Sequence, residues 1–189
     1  MASLHSSNHH RHSNRLEGYN YARAGAYFIT VCTQNRPVLF GEIVGSKQIL
    51  NLAGQMVDRW WVELGHKFPQ IVPDAFVVMP NHVHGIINLS ALPVGADLRV
   101  CPRIKGAHAG ASLPEIVQWF KTMTTNEYIR NVKQCGWPPF AGKLWQRNDY
   151  EHIIRYEDDL NRIRDYIAKN PARWDLDREN PEGLARRPS

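Results

Sequence analysis

Thirteen residues constrain this chain more than any others: Ala75 to Ile87, reading Ala-Phe-Val-Val-Met-Pro-Asn-His-Val-His-Gly-Ile-Ile. Two β-prone apolar runs flank Pro80-Asn81, a turn signal, so the unit reads as two adjacent strands. In a strand, residues two apart share a face. His82 and His84 therefore project together just past the turn, and Val83 points the other way. Two imidazoles on one strand face are half of a metal site. Read alone, an isolated His-x-His is more often two polar residues on a solvated face.

Other elements can be placed around that pair. Ala26 to Thr33 is dense in β-branched and aromatic residues and reads as a buried central strand ended by Gln34-Asn-Arg-Pro37. Ile49, Leu52, Ala53, Met56, Trp60 and Leu64 recur at helical spacing, predicting a helix over 48–64 closed by Gly65, with Trp61 at the edge of the stripe. Residues 90–111 read as a long loop punctuated by Gly and Pro. Ser112-Leu-Pro-Glu115 is a capping-box signature that starts a second long helix, with Ile116, Trp119, Phe120 and Met123 as its apolar stripe. Residues 143–154 read as a final, bent strand. The last helix runs over 157–170, with acidic Glu157, Asp158 and Asp159 at its N-terminus and Pro171 at its end. Tyr166 and Asn170 share a face of it, beside the stripe of Leu160, Ile163 and Ile167. The order βαββαβα describes an α+β sandwich of the ferredoxin or RNA-recognition-motif type, a central antiparallel sheet with helices packed on it and one extra C-terminal helix.

The 189 residues suit one core and one domain. Residues 1–24, rich in Ser, Asn, His and Arg, read as a disordered tail whose His5, His9, His10 and His12 lack any pattern; 172–189 read as a loose C-terminal tail, leaving 25–171 as the domain. No apolar run reaches a membrane span or a signal core, and three widely spaced cysteines suit a reduced, cytoplasmic protein. The net charge of +5 says little by itself, but its distribution says more. From Arg99 to Arg147 eight lysines and arginines face only Glu115 and Glu127, a local charge of +6. On the second helix, Lys121, Arg130 and Lys133 form either a solvated face or a surface that meets phosphates.

Tyrosine can act as a covalent nucleophile, but its ordinary pKa near 10 requires help at neutral pH. A cation that polarises a phosphodiester supplies such help. Two imidazoles and an amide oxygen form a mixed set that suits Mg²⁺ or Mn²⁺ and would also bind Zn²⁺. Tyr150 is a rival nucleophile, set in Asp149-Tyr150-Glu151-His152 but lacking an amide one turn away. His66 and His152 read as surface or packing residues, and Trp60, Trp119 and Trp145 as core or edge aromatics before base platforms.

The chain resembles the single-tyrosine HUH transposases, and among them the REP-associated tyrosine transposases. The resemblance is carried by Tyr27-Phe-Ile-Thr30, Val78-Met-Pro-Asn-His-Val-His84, Trp119-Phe-Lys121, Leu144-Trp-Gln-Arg147 and Tyr166-Ile-x-x-Asn170-Pro171, in order over roughly 26–171. It implies that His82, His84 and Asn170 hold a divalent metal, Mg²⁺ or Mn²⁺, and that Tyr166 is the nucleophile of a single-stranded DNA endonuclease and strand transferase. The implied substrate is single-stranded or hairpin DNA with a single-stranded guide. The implied product is a 5′-phosphotyrosine, from which a 3′-OH can rejoin strands. Lys121, Arg130, Arg147 and Trp145 become candidate DNA contacts. Relatives act as monomers or as homodimers that exchange the tyrosine helix. Two other classes remain open: a non-catalytic hairpin-binding module on the same sheet, and a metal-dependent hydrolase, for which no carboxylate is evident in the sequence.

Overall fold

A computed structural model of the chain describes residues 20–90 and 110–181. The elements run β1 (Gly25–Cys32), β2 (Gly41–Val44), β3 (Lys47–Leu50), α1 (Leu52–Lys67), β4 (Ile71–Val78), β5 (His82–Leu89), α2 (Leu113–Cys135), β6 (Tyr150–Ile154), α3 (Glu157–Lys169) and a 3₁₀ turn (Pro171–Leu176). Four strands form one antiparallel sheet in the order β4-β5-β1-β6. The expected α+β sandwich is the observed one. Each long connection crosses over one strand, which places α1 and α2 together on one face and leaves the other face for α3.

The strand period sorts the side chains between those faces. Tyr27, Ile29 and Val31 of β1 and Val83 and Ile87 of β5 join Met56, Val57, Trp61 and Leu64 of α1 and Ile116, Val117 and Phe120 of α2 in the main core. Phe28 and Ile86 point the opposite way, into a smaller cluster with Ile154 of β6 and Ile163 and Ile167 of α3. β1 is buried on both faces, as its unbroken apolar run requires. Pro73 sits on the edge strand β4 beside a register irregularity, the place a sheet tolerates proline.

Several boundaries differ from the sequence expectation. α1 starts at Leu52, not 48, because Asn51 is its N-cap: Oδ1 accepts the Gly54 amide at 2.9 Å, and Nδ2 donates to the Leu39 carbonyl. Ile49 belongs instead to a short β2–β3 hairpin, turned by Gly45 and Ser46 at φ 53° and 67°. Strands of four residues give little alternation to read, and Ile49 also fits the helical spacing. Within α1 the buried tryptophan is Trp61, stacked on Phe76 at 4.2 Å and 7°, whereas half-buried Trp60 donates to Glu127 of α2. The helix continues past Gly65 to Lys67. The final strand is only β6; Trp145 makes one isolated bridge with Thr33 before the chain leaves the sheet again at 146–149.

Both expected tails begin too far inward. Tyr21 is buried and its carbonyl accepts the Leu113 amide, so the chain is already anchored to the domain at residue 21, although its neighbours Asn20 and 22–24 are exposed. At the other end, the chain beyond 171 forms the 3₁₀ turn and returns to the sheet, where Asn81 Nδ2 donates to the Glu179 carbonyl at 2.7 Å and Asn180 is buried. The tail histidines, Arg99, Arg103, Lys105 and most of the 90–111 loop lie outside the described residues. Among those described, no helix is long and apolar enough to cross a membrane.

Trp61 lies against the backbone of Gly85, next to His84 in β5. A Cβ at position 85 would stand 2.4 Å from the Trp61 ring and 3.0 Å from Phe76. Gly85→Val should therefore destabilise the fold by about 1–3 kcal/mol, the usual range for forced overpacking. Urea unfolding checks this, and an unchanged midpoint would refute it.

Candidate active site

β5 begins immediately after the Pro80-Asn81 turn, so its first and third residues place two imidazoles on the α3 face. Both rings are buried, and their Nε2 atoms stand 3.0 Å apart. Neighbouring groups determine how the rings are oriented. Asn81 Nδ2 donates to the carbonyls of Arg36 and Glu179, so its Oδ1 can only accept, and His82 Nδ1 donates to it at 2.8 Å. His82 thereby has a bare Nε2 pointing at His84. His84 Nδ1 meets the Thr30 hydroxyl at 2.8 Å, a group able to donate or accept, so its tautomer can adjust. Phe28 stacks on His84 at 5.4 Å and closes one side.

Burial keeps both rings neutral. It pushes the His82 pKa down to about 3, with Arg36 adding to the effect. Burial first and His82 second hold His84 well below its ordinary value, against the opposing pull of Asp177. Neutral imidazoles offer lone pairs, the form in which histidine binds metal.

Tyr166 projects from α3 onto this pair. Its hydroxyl lies 3.3 Å from His84 Nε2, and its ring packs edge-on to His84 and Phe28. Burial raises the phenol pKa and Asp177 raises it further, while a hydrogen bond from Asn170 works the other way. α3 is clamped to the sheet on both sides: Arg164 grips Asp74 of β4 through Nε (3.1 Å) and Nη2 (2.6 Å), and Asp159 pairs with His152 of β6 at 2.8 Å. The Arg164 hydrogen bonds hold the Asp74 carboxyl below the usual carboxylate range.

One carboxylate joins the histidine pair, and an amide oxygen without a partner among the described residues lies one turn past Tyr166. Asn170 is buried one turn after Tyr166, and its Oδ1 has no hydrogen-bond partner among the described residues. Leaving such an oxygen unmet costs about 1–3 kcal/mol, which a ligand would relieve. In the sequence, Asp177 reads as part of a loose tail and no carboxylate is evident for this site; the structure differs, bringing Asp177 to the histidines. The 3₁₀ turn returns it to the sheet, where Oδ2 lies 3.8 Å from His82 Nε2 and the side chain is 5% exposed. The ligand atoms of His82, His84 and Asp177 all fall within 4.8 Å of one another. These donors suit a divalent cation. At metal–ligand bonds of about 2.1 Å, ligands at right angles sit about 3.0 Å apart, which is the Nε2–Nε2 separation seen here. The sequence clue to Asp177 was faint: Trp174, which packs its ring near His82, is an aromatic that a solvated tail does not need.

The candidate DNA contacts separate. Lys121 is buried; its Nζ binds Asp149 Oδ1 at 2.5 Å and the carbonyls of Gln146 and Arg147. Trp145 is buried against Phe40 and Phe120, and its Nε1 donates to Thr124. Neither side chain is presented as a DNA contact requires, because each is committed to the interior. Arg130 and Arg147 are exposed, Arg130 lying 3.8 Å from Glu127. His66 stands 3.4 Å from Glu63 on the surface, and Trp60 and Trp119 pack edge-on to each other, as ordinary packing residues do. Lys121→Ala would remove the ammonium that faces the buried Asp149 carboxylate, and breaking a buried ion pair costs about 3–5 kcal/mol. Thermal and urea unfolding should show this loss whether or not DNA is present.

The chain matches no protein-family model. It is 39% identical over 176 residues to an uncharacterised protein of Haemophilus influenzae, with 89% of this chain and 92% of that protein covered. The two belong to one family. Among solved structures, that of a REP-associated tyrosine transposase bound to a REP hairpin superposes with a TM-score of 0.52 at 23% identity, covering 84% of this chain and 73% of that one. The chain has the REP-associated tyrosine transposase fold. In this chain that fold carries His82 and His84 on β5 and Tyr166 on α3. A transposase-like protein of Deinococcus radiodurans R1 gives a TM-score of 0.47 at 16% identity, covering 82% of this chain and 96% of that one.

Proposed function

We propose that this chain is a divalent-metal-dependent endonuclease and strand transferase acting on single-stranded DNA beside hairpins. The observation that carries the reading is the Tyr166 hydroxyl 3.3 Å from the buried, neutral His82–His84 pair, with the orphaned Asn170 oxygen one turn along the same helix. The solved transposase of the same fold is described as bound to a REP hairpin, which supports a hairpin substrate here as well.

In this reading His82 and His84 hold Mg²⁺ or Mn²⁺, with Asn170, Asp177 or both as oxygen donors. The cation, when bound, would withdraw charge from a phosphodiester's non-bridging oxygens. Tyr166 supplies the nucleophile. Its oxygen bonds to phosphorus as the bond to the 3′ oxygen breaks, leaving a 5′-phosphotyrosine and a free 3′-OH. The phenolic proton must leave as attack begins, and the raised pKa of the phenol makes that step dependent on help. The clamps Arg164–Asp74 and His152–Asp159 hold α3 so that the hydroxyl remains at the histidines. Because the phosphotyrosine conserves the bond energy, an incoming 3′-OH can reverse the reaction. The domain extends from residue 20 through Asn180 in this reading.

Asp177 favours a second reading, in which a His–His–carboxylate set directs water and no covalent intermediate forms. One experiment separates the two. Labelled single-stranded DNA from beside the chain's own gene, able to fold as a hairpin, is incubated with protein and Mn²⁺ and run on a denaturing gel. A protein–DNA adduct supports the transferase. Cleavage without an adduct supports the hydrolase, and binding with neither leaves a non-catalytic hairpin-binding module.

A further inference from the structure

The segment leading into β6 is fixed from beneath and ends beside the histidines. Lys121 Nζ binds Asp149 and the carbonyls of Gln146 and Arg147, so a buried ammonium holds the 146–149 loop in one shape. Tyr150 follows at once. It pairs across the sheet with Thr30, whose hydroxyl meets His84 Nδ1 at 2.8 Å. Cross-strand partners share a face, so the Tyr150 ring stands on the histidine face. It lies edge-on to Phe28 with centroids 6.3 Å apart, and Tyr166 lies edge-on to the same Phe28 at 6.0 Å.

The two tyrosines flanking Phe28 differ in their surroundings. Tyr166 directs its hydroxyl to His84. Tyr150 is 54% exposed, and its hydroxyl makes no hydrogen bond among the described residues. Arg147, three residues earlier on the same fixed loop, is exposed, and its guanidinium has no partner among the described residues. An open aromatic face beside an unpaired cation is what single-stranded nucleic acid binds: bases stack on the ring and phosphates meet the charge.

We propose that Tyr150 is the stacking platform for the unpaired base next to the phosphate that Tyr166 attacks, with Arg147 meeting a phosphate of the same strand. The proposal rests on the single-stranded DNA reading above and makes Tyr150 a substrate-positioning residue. Stacking selects an unpaired base, because paired bases already have both faces covered. The Lys121 anchor presents both groups ready-placed, so little ordering cost is incurred on binding.

The test uses Tyr150→Ala and Tyr150→Phe, each made in the Tyr166→Phe chain so that no strand is cut. The probe is the hairpin from beside the gene carrying its single-stranded flank, with 2-aminopurine at each flank position in turn; the same hairpin without its flank is the comparison. Tyr150→Ala should weaken binding of the flanked hairpin by about 5- to 150-fold, the range that base–aromatic stacking implies. It should relieve 2-aminopurine quenching at one position and leave the flankless hairpin's affinity unmoved. Tyr150→Phe, which keeps the ring, should restore both. Unchanged affinity and quenching in Tyr150→Ala would overturn the proposal, as would Tyr150→Phe failing as badly as Tyr150→Ala. Equal losses on the two hairpins would overturn it too. All readouts are of binding, so a failure of the unmodified chain to form an adduct would count against the enzyme reading and not against this one.

Discussion

Tyr166→Phe is expected to bind hairpin DNA and Mn²⁺ as the unmodified chain does and to form no covalent adduct. The substitution removes one oxygen. The ring that packs edge-on to Phe28 and His84 stays, so stability should change by no more than about 1 kcal/mol. Adduct formation should fall on the order of 10³-fold or more, the scale on which deleting a covalent nucleophile acts. Tyr156→Phe is the control: Tyr156 is 75% exposed at the start of α3, and losing its hydroxyl should leave the adduct intact. The measurement is a denaturing gel, followed by mapping of the phosphotyrosine peptide. An adduct that persists in Tyr166→Phe and maps to Tyr150 would move the nucleophile from α3 to β6.

His82→Ala and His84→Ala should each abolish metal-dependent cleavage and weaken Mn²⁺ binding by more than about 100-fold, as read by calorimetry. Each removes one of two neutral nitrogens that stand 3.0 Å apart and lets water occupy its place. Asn81→Ala should do less, about 10- to 100-fold, because Asn81 orients His82 without being a donor itself. The same titration on Asn170→Ala and Asp177→Asn identifies the oxygen donor. A loss only in Asn170→Ala supports the set implied by the family resemblance, and a loss only in Asp177→Asn supports a His–His–carboxylate set. Full metal affinity in the double histidine variant would refute the assignment of the site.

Most of the frame was legible because it rests on local regularities. Period-two alternation around a Pro-Asn turn put His82 and His84 on one face, and helical spacing with an acidic start and a following proline placed Tyr166 and Asn170 together on α3. Such patterns survive without any knowledge of partners. The β2–β3 hairpin was too short to show a pattern, and one residue's shift in the α1 stripe exchanged Trp60 for Trp61, since adjacent large aromatics satisfy the same spacing.

The sequence alone thus determined the strands of the main sheet, the helices packed on it, the paired histidines and the helix that carries Tyr166. Only the tertiary structure decided which charges are at work and where. Lys121, read from its sequence as a phosphate contact, is buried because Asp149, 28 positions later, returns to pair with it. Asp177, read as a loose tail, enters the histidine site because Asn81 captures the chain at Glu179, 98 positions away. A charged residue's role depends on the partner that desolvates it, and partners so distant leave no periodic trace in the chain.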